Sequence, residues 1–191
     1  MLSLQNAHKH GIMYSSEKEV QMLNKPLYGW SKITINNKTL GSASYLDWLP
    51  GIVLEPCIRY LECAIRDLRR WDHSPGGYGF NITFDGEEVG HFGIVEIGDD
   101  FYTYDTLGNK EPYIQLYEID LKQFGWKGYK FVQSLLSETI DDIEKYFEEW
   151  VIWDAFDEED AKRNRRELTA LLKKAKRVLD EIQRFSEAKA Q

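Results

Sequence analysis

The sequence predicts an α+β fold, an antiparallel β-meander packed against amphipathic helices, with a long C-terminal helix. Three observations predict it. Residues 78–105 alternate apolar and polar side chains between turn signals, the period of half-buried antiparallel strands. "LPGIVLEPCIRYLECAIRDLRRW" repeats apolar residues every three or four positions, the period of a helix with one buried side. The segment after Asp157 keeps a similar rhythm almost to the last residue.

Residues 1–29 are polar and irregular and read as a loosely tethered arm. "KITIN" (32–36) reads as a short strand running into an Asn-rich turn. The first helix carries its stripe on Leu49, Ile52, Val53, Cys57, Tyr60, Leu61, Ala64, Ile65 and Leu68. Pro50 suits a first turn. Pro56 removes a helical hydrogen bond, so the helix is either kinked there or begins near Glu55.

In the meander, Tyr78, Phe80, Ile82 and Phe84 share one face, with Asn81 and Thr83 on the other. "DGEE" and "GDD" are hairpin turns. With Gly86–Glu87 as a two-residue loop, Phe84 faces Val89 and Ile82 faces His91, which places His91 on the core side. Phe92, Ile94 and Glu96 then fall on the second face with Phe101 and Asp105. "YIQLYEIDL" supplies a fourth strand or an extended edge, and "GWKGYKFVQSL" a further short strand.

"ETIDDIEKYFEEW" reads as a helix capped at Thr139, with Asp142 as the capping-box acid. Asp157 caps the last helix, about 158–188, where Leu168, Leu171, Ala175, Val178, Ile182 and Phe185 follow a heptad rhythm. That seam fits either a homodimer or a helix packed back on the body. The chain thus divides into an arm (1–29), an α+β core (30–154) and a basic C-terminal helix (155–191).

A length of 191 residues suits one domain with a sizeable core. No apolar run is long enough to span a membrane, and the first residues lack the apolar centre of a signal peptide. A cytoplasmic protein is expected. Cys57 and Cys63 are the only cysteines and read as small buried hydrophobes, without the ligand spacing of a zinc site. No metal or cofactor is expected.

The net charge of −8 is unevenly spread. Residues 81–120 hold ten acids and one lysine, whereas residues 161–191 hold ten bases and four acids. An acidic body disfavours direct nucleic-acid binding, because phosphate contacts need Lys and Arg. It favours a basic protein partner, drawn in by the field. The same charge also serves plain solubility.

Chemistry is weakly signalled. "SPGGYGFNI" lacks the lysine of a phosphate loop and leads into a strand instead of a helix, so its glycines read as a turn. His73 follows a helix end and His91 sits on an apolar face. Neither has the local context of a catalytic base, and no serine elbow is present. The acids at the hairpin tips, Glu87, Glu88, Asp99 and Asp100, are expected in water, where a carboxylate is a poor general acid or base. Together with Glu96 and Asp105, and with Phe92 as an apolar anchor, they have the make-up of an interface for a basic partner. The competing expectation is that the last helices cover this face.

A strand, an amphipathic helix, an acidic meander and a short acidic helix in this order resemble the plan of bacterial immunity proteins. These proteins neutralise the toxins of contact-dependent and other polymorphic toxin systems. The resemblance spans residues 30–153, and no family residue carries across. It implies a non-enzymatic inhibitor of a toxin such as a nuclease. The alternatives are a phage-type inhibitor of a host defence enzyme and a small enzyme using His73 or His91 with a carboxylate.

Overall fold

The computed structural model describes residues 22–27, 30–35, 38–44, 47–71, 78–86, 90–106, 114–119 and 128–188. The fold is mixed α+β with two antiparallel sheets. A hairpin of β1 (Trp30–Ile35) and β2 (Lys38–Ser44) forms the smaller one. Helix α1 (Leu49–Trp71) follows. The larger sheet is a meander of β3 (Asn81–Asp85), β4 (His91–Ile97), β5 (Asp100–Thr106) and β6 (Ile114–Glu118), in that spatial order. Helices α2 (Tyr129–Lys145), α3 (Phe147–Val151) and α4 (Glu158–Ala188) complete the described chain.

Helix α1 begins at Leu49 with Pro56 inside it, so the start near Glu55 does not hold. Its stripe is buried: Val53, Leu54, Cys57, Leu61 and Ala64 are fully enclosed. One side of the four-stranded sheet packs on this stripe. Tyr60 of α1 meets Phe80 edge-on at 5.7 Å, Phe80 meets Phe101 of β5 at 5.7 Å, and Phe101 meets Phe131 of α2 at 4.9 Å. Such tilted pairs add to the stabilisation from buried area. The β1–β2 hairpin closes the other end of the same face, with Gly41 pressed against the Phe92 ring.

Helix α2 starts ten residues before Thr139, so two expectations change. Tyr129–Leu136 is helical, not a strand, and buries Phe131, Val132, Leu135 and Leu136. Thr139 lies inside the helix, where its hydroxyl donates to the Leu135 carbonyl at 2.6 Å instead of capping anything. Asp157 does cap α4, accepting the backbone N–H groups of Glu159 and Asp160 at 2.9 Å each.

The heptad seam is satisfied within the chain. Leu168, Leu172, Ala175, Val178 and Ile182 are buried, while Leu171, Leu179 and Phe185 are half-buried against the same core. The neighbours of α4 are α1, α2 and α3, with ion pairs Lys174–Glu62 (3.3 Å) to α1 and Lys176–Glu144 (2.7 Å) to α2. A dimer zipped through Leu168, Leu171, Val178, Ile182 and Phe185 would have to undo this packing.

Residues 22–27, expected in a loose arm, are docked. Met22 and Leu23 are fully buried, and Leu23 bridges to Ile33 of β1. Both backbone N–H groups donate to one oxygen of Asp142 at 2.9 Å, so Asp142 latches this segment instead of capping α2. Burial pushes the Asp142 carboxyl up to about 6, against the pull of those two N–H groups and of Lys145. A raised carboxyl means that the folded state binds the proton more tightly. Stability from this group therefore rises as pH falls from about 6 towards 4, and the burial cost is felt in full above 6. An asparagine can accept both N–H groups without that charge. Asp142→Asn is expected to flatten the pH dependence of the urea midpoint between pH 7 and 4.5. The difference from the parent corresponds to about 1–2 kcal/mol after allowance for solvent screening. An identical pH profile in the variant would refute the latch.

Candidate functional site

The faces of the meander follow from the loop between β3 and β4. The last pair is Asp85 with His91, and the Gly86 N–H donates to the Gly90 carbonyl at 2.7 Å, so the loop runs from 86 to 90. Phe84 therefore pairs with Phe92, and Ile82 with Ile94. A two-residue loop would shift the register by an odd number, which exchanges the faces of one strand. The two apolar sets expected on opposite faces thus share one.

Several candidate residues move as a result. Phe92 is 4% exposed and stacks on Phe84 at 5.4 Å, so it belongs to the core and not to an anchor. His91 turns to the outer face, where its Nδ1 lies 2.7 Å from Asp85 Oδ1. Glu96 faces inward and accepts the Tyr60 hydroxyl at 2.9 Å. Burial raises its carboxyl, the Tyr60 bond holds it down, and nearby Asp99 raises it further. Its other oxygen is buried without a partner. Asp105 shares the inner-face row of Phe92, near the end of β5. Of the expected set, Asp99 and Asp100 stand exposed at the β4–β5 turn. There Gly98 takes the left-handed conformation, with φ of 69°, that a side chain resists. Glu87, Glu88 and His73 lie outside the described residues.

Among the described residues, one face of the meander is covered and the other is not. The inner face, with Phe92, Glu96 and Phe101, is closed by α1, α2 and the β1–β2 hairpin. No described element is packed over the outer face. Its cross-strand rows are Asp85–His91–Thr106, Thr83–Gly93–Tyr104–Leu116, and Asn81–Val95–Tyr102–Glu118, with Ile97 beside Asp100 at the end. Tyr104 lies across Gly93, its hydroxyl 2.6 Å from that of Thr83, and burial raises the phenol. Leu116 is 44% exposed and Ile97 49%.

This face carries aromatic and aliphatic side chains in its middle and carboxylates at its ends, Asp85 at one and Asp100 with Glu118 at the other. Lys and Arg are absent from it among the described residues. Seven strand residues put the two ends about 20 Å apart. Asp85, Tyr102, Tyr104 and Glu118 were missed from the sequence as site residues. An odd-numbered loop at residues 86–90 was the signal that could have found them.

Comparison with known proteins finds no matching family model, no similar curated protein and no similar solved structure. The reading of the site therefore rests on its own geometry. No described helix is long and apolar enough to cross a membrane.

Proposed function

We propose that the chain is a non-enzymatic binding protein that captures a basic protein on the outer face of its four-stranded sheet. It would act in the cytoplasm, as immunity proteins do when they occlude toxins such as nucleases. One observation carries the reading: a sheet face that no described element covers, with Tyr102, Tyr104, Val95 and Leu116 in its middle and, among the described residues, only acidic charge at its ends. Aromatic centres supply most of the affinity of an interface. Rim charges chiefly set the association rate and its dependence on salt.

The test is reversal of the rim. Asp85→Lys, Asp100→Lys and Glu118→Lys are exposed, so the triple variant is expected to unfold at the parent's midpoint. Capture of the basic partner from the native cell should fall at least about tenfold in association rate at low salt, with little difference at high salt. Equal capture by parent and variant at low salt would sink the proposal.

A hydrolytic reading has one feature in its favour, the His91–Asp85 pair, since a carboxylate on Nδ1 fixes the other imidazole nitrogen as a base. The two side chains are 60% and 61% exposed, which denies them the dry surroundings that make such a pair effective. Within the binding proposal, the pair is a polar end to the docking face.

A further inference from the structure

The turn between α3 and α4 holds the two most exposed large hydrophobic side chains among the described residues. Phe156 is 90% exposed and Ile152 is 64% exposed, four positions apart. Large apolar side chains exposed near one another are the material of interaction sites.

Every neighbour of these two residues is fixed. The Ile152 N–H donates to the Glu148 carbonyl at 3.2 Å, and the Phe156 N–H to Asp160 Oδ2 at 3.3 Å. Trp153 is buried between them, tilted on Trp150 at 5.2 Å, and donates its indole N–H to the Asp47 carbonyl at 3.2 Å. Asn164 of α4 is buried and clamps the Val151 carbonyl at 3.2 Å and Asp154 at 2.6 Å. Asp157 caps the helix that follows. The corner therefore fixes the backbone at Phe156, and a binding partner would have only the side chain left to order.

Its surroundings select the partner. Asp154, Asp157, Glu158, Glu159 and Asp160 flank the pair, against Lys162 and Arg163, which are matched to Glu158 and Asp160 at 2.9 and 2.7 Å. The corner connects to the sheet through Asp47, whose carbonyl accepts the Trp153 indole N–H and whose carboxyl lies beside the Asp85 backbone.

We propose that Ile152 and Phe156 are the hydrophobic anchor of the docking surface, seated in an apolar pocket on the same basic protein that covers the sheet. This rests on the reading of the outer face as a docking site. The surface then runs from Tyr104 past the His91–Asp85 end and the Asp47 loop to the α3–α4 corner. Buried aromatics at such centres dominate binding energy, whereas charged rims contribute less.

Photo-crosslinking in the native cell tests it, with benzoylphenylalanine placed in the full chain at position 156, at position 104, or at exposed Lys173 as control. Positions 156 and 104 are expected to yield the same basic polypeptide, and position 173 none. With that polypeptide purified, Phe156→Ala should weaken binding about thirtyfold and leave the unfolding midpoint unchanged. Adducts at 104 but not at 156, or full affinity in Phe156→Ala, would overturn the anchor and leave the sheet reading standing. An adduct between two copies of the chain at 156 would overturn the basic partner as its occupant. Adducts at neither position would overturn both readings.

Discussion

Leu168→Ala is expected to lower stability by about 3 kcal/mol while leaving the oligomeric state as it was. Leu168 is fully buried on α4, among Leu172, Ala175, Val178 and Ile182. Truncation there loses the transfer energy of the removed carbons and leaves a cavity that a long helix, held at its start by Asp157 and Asn164 and along its length by the burial of Leu172, Ala175, Val178 and Ile182, cannot close. Leu171, only half-buried, should cost roughly a third as much. Urea midpoints give the energies and sedimentation gives the mass. If Leu168→Ala instead converted a dimer into a stably folded monomer, the seam would be intermolecular and α4 would have been placed against the wrong neighbour. The distinction matters for the proposed function, because a chain that buries α4 in itself does not use that helix for a second copy.

This helix also shows what the sequence can and cannot carry. The rhythm of Leu168 to Phe185 announces an apolar face, and Asp157 announces where the helix starts, because both are local properties of the chain. What packs on that face is a tertiary fact with no local mark. The same division explains α2. "YKFVQSL" looks like a strand from its aromatic and branched residues, but Phe131, Val132, Leu135 and Leu136 are spaced for one side of a helix and are buried as such. Propensity gave way to packing. Asp142 stands at a capping-box position by sequence and serves another segment in space, 119 and 120 residues away.

The outer face proposed for docking was harder to read than the fold for a reason of parity. Alternation along β3, β4 and β5 is plain in the sequence, but which faces coincide depends on whether the β3–β4 loop has an even or an odd number of residues. The "DGEEVG" segment allows both. With the even choice, Phe92 is displayed and His91 is hidden; with the odd loop the two exchange, and Tyr102, Tyr104 and Leu116 come to the surface beside Asp85 and Glu118. Phe156 was invisible for a related cause. An apolar residue in a turn carries no sign of exposure, and only the bonds of Trp153, Asn164 and Asp160 around it reveal that it is held outward.

Gly93→Ala should be at least as damaging as the loss of Leu168, at about 3 kcal/mol or more, although it adds only one methyl group. Gly93 sits mid-strand in β4, opposite Thr83 on one side and Tyr104 on the other. A Cβ built there collides with the backbone carbonyl oxygen of Ile82, and it meets the Tyr104 ring at 3.1 Å. A flexible side chain could swing away, but a carbonyl engaged in the sheet can yield only if β3 and β4 separate, and separation breaks the ladder between them. Glycine in mid-strand normally weakens a sheet, so its presence here is explained by the close approach. The Tyr104 ring covers the gap that the missing side chain leaves. The control is Gly79→Ala. Gly79 has open space around it, and its φ of 37° should cost only about 1 kcal/mol. Gly93→Ala is further expected to speed amide exchange at the β3–β4 ladder and, on the proposed function, to impair partner capture, because Tyr104 loses its seat in the middle of the outer face. A Gly93→Ala protein with parental stability and exchange would mean that β3 and β4 do not approach this closely, and the seat of Tyr104 on the outer face would have to be redrawn.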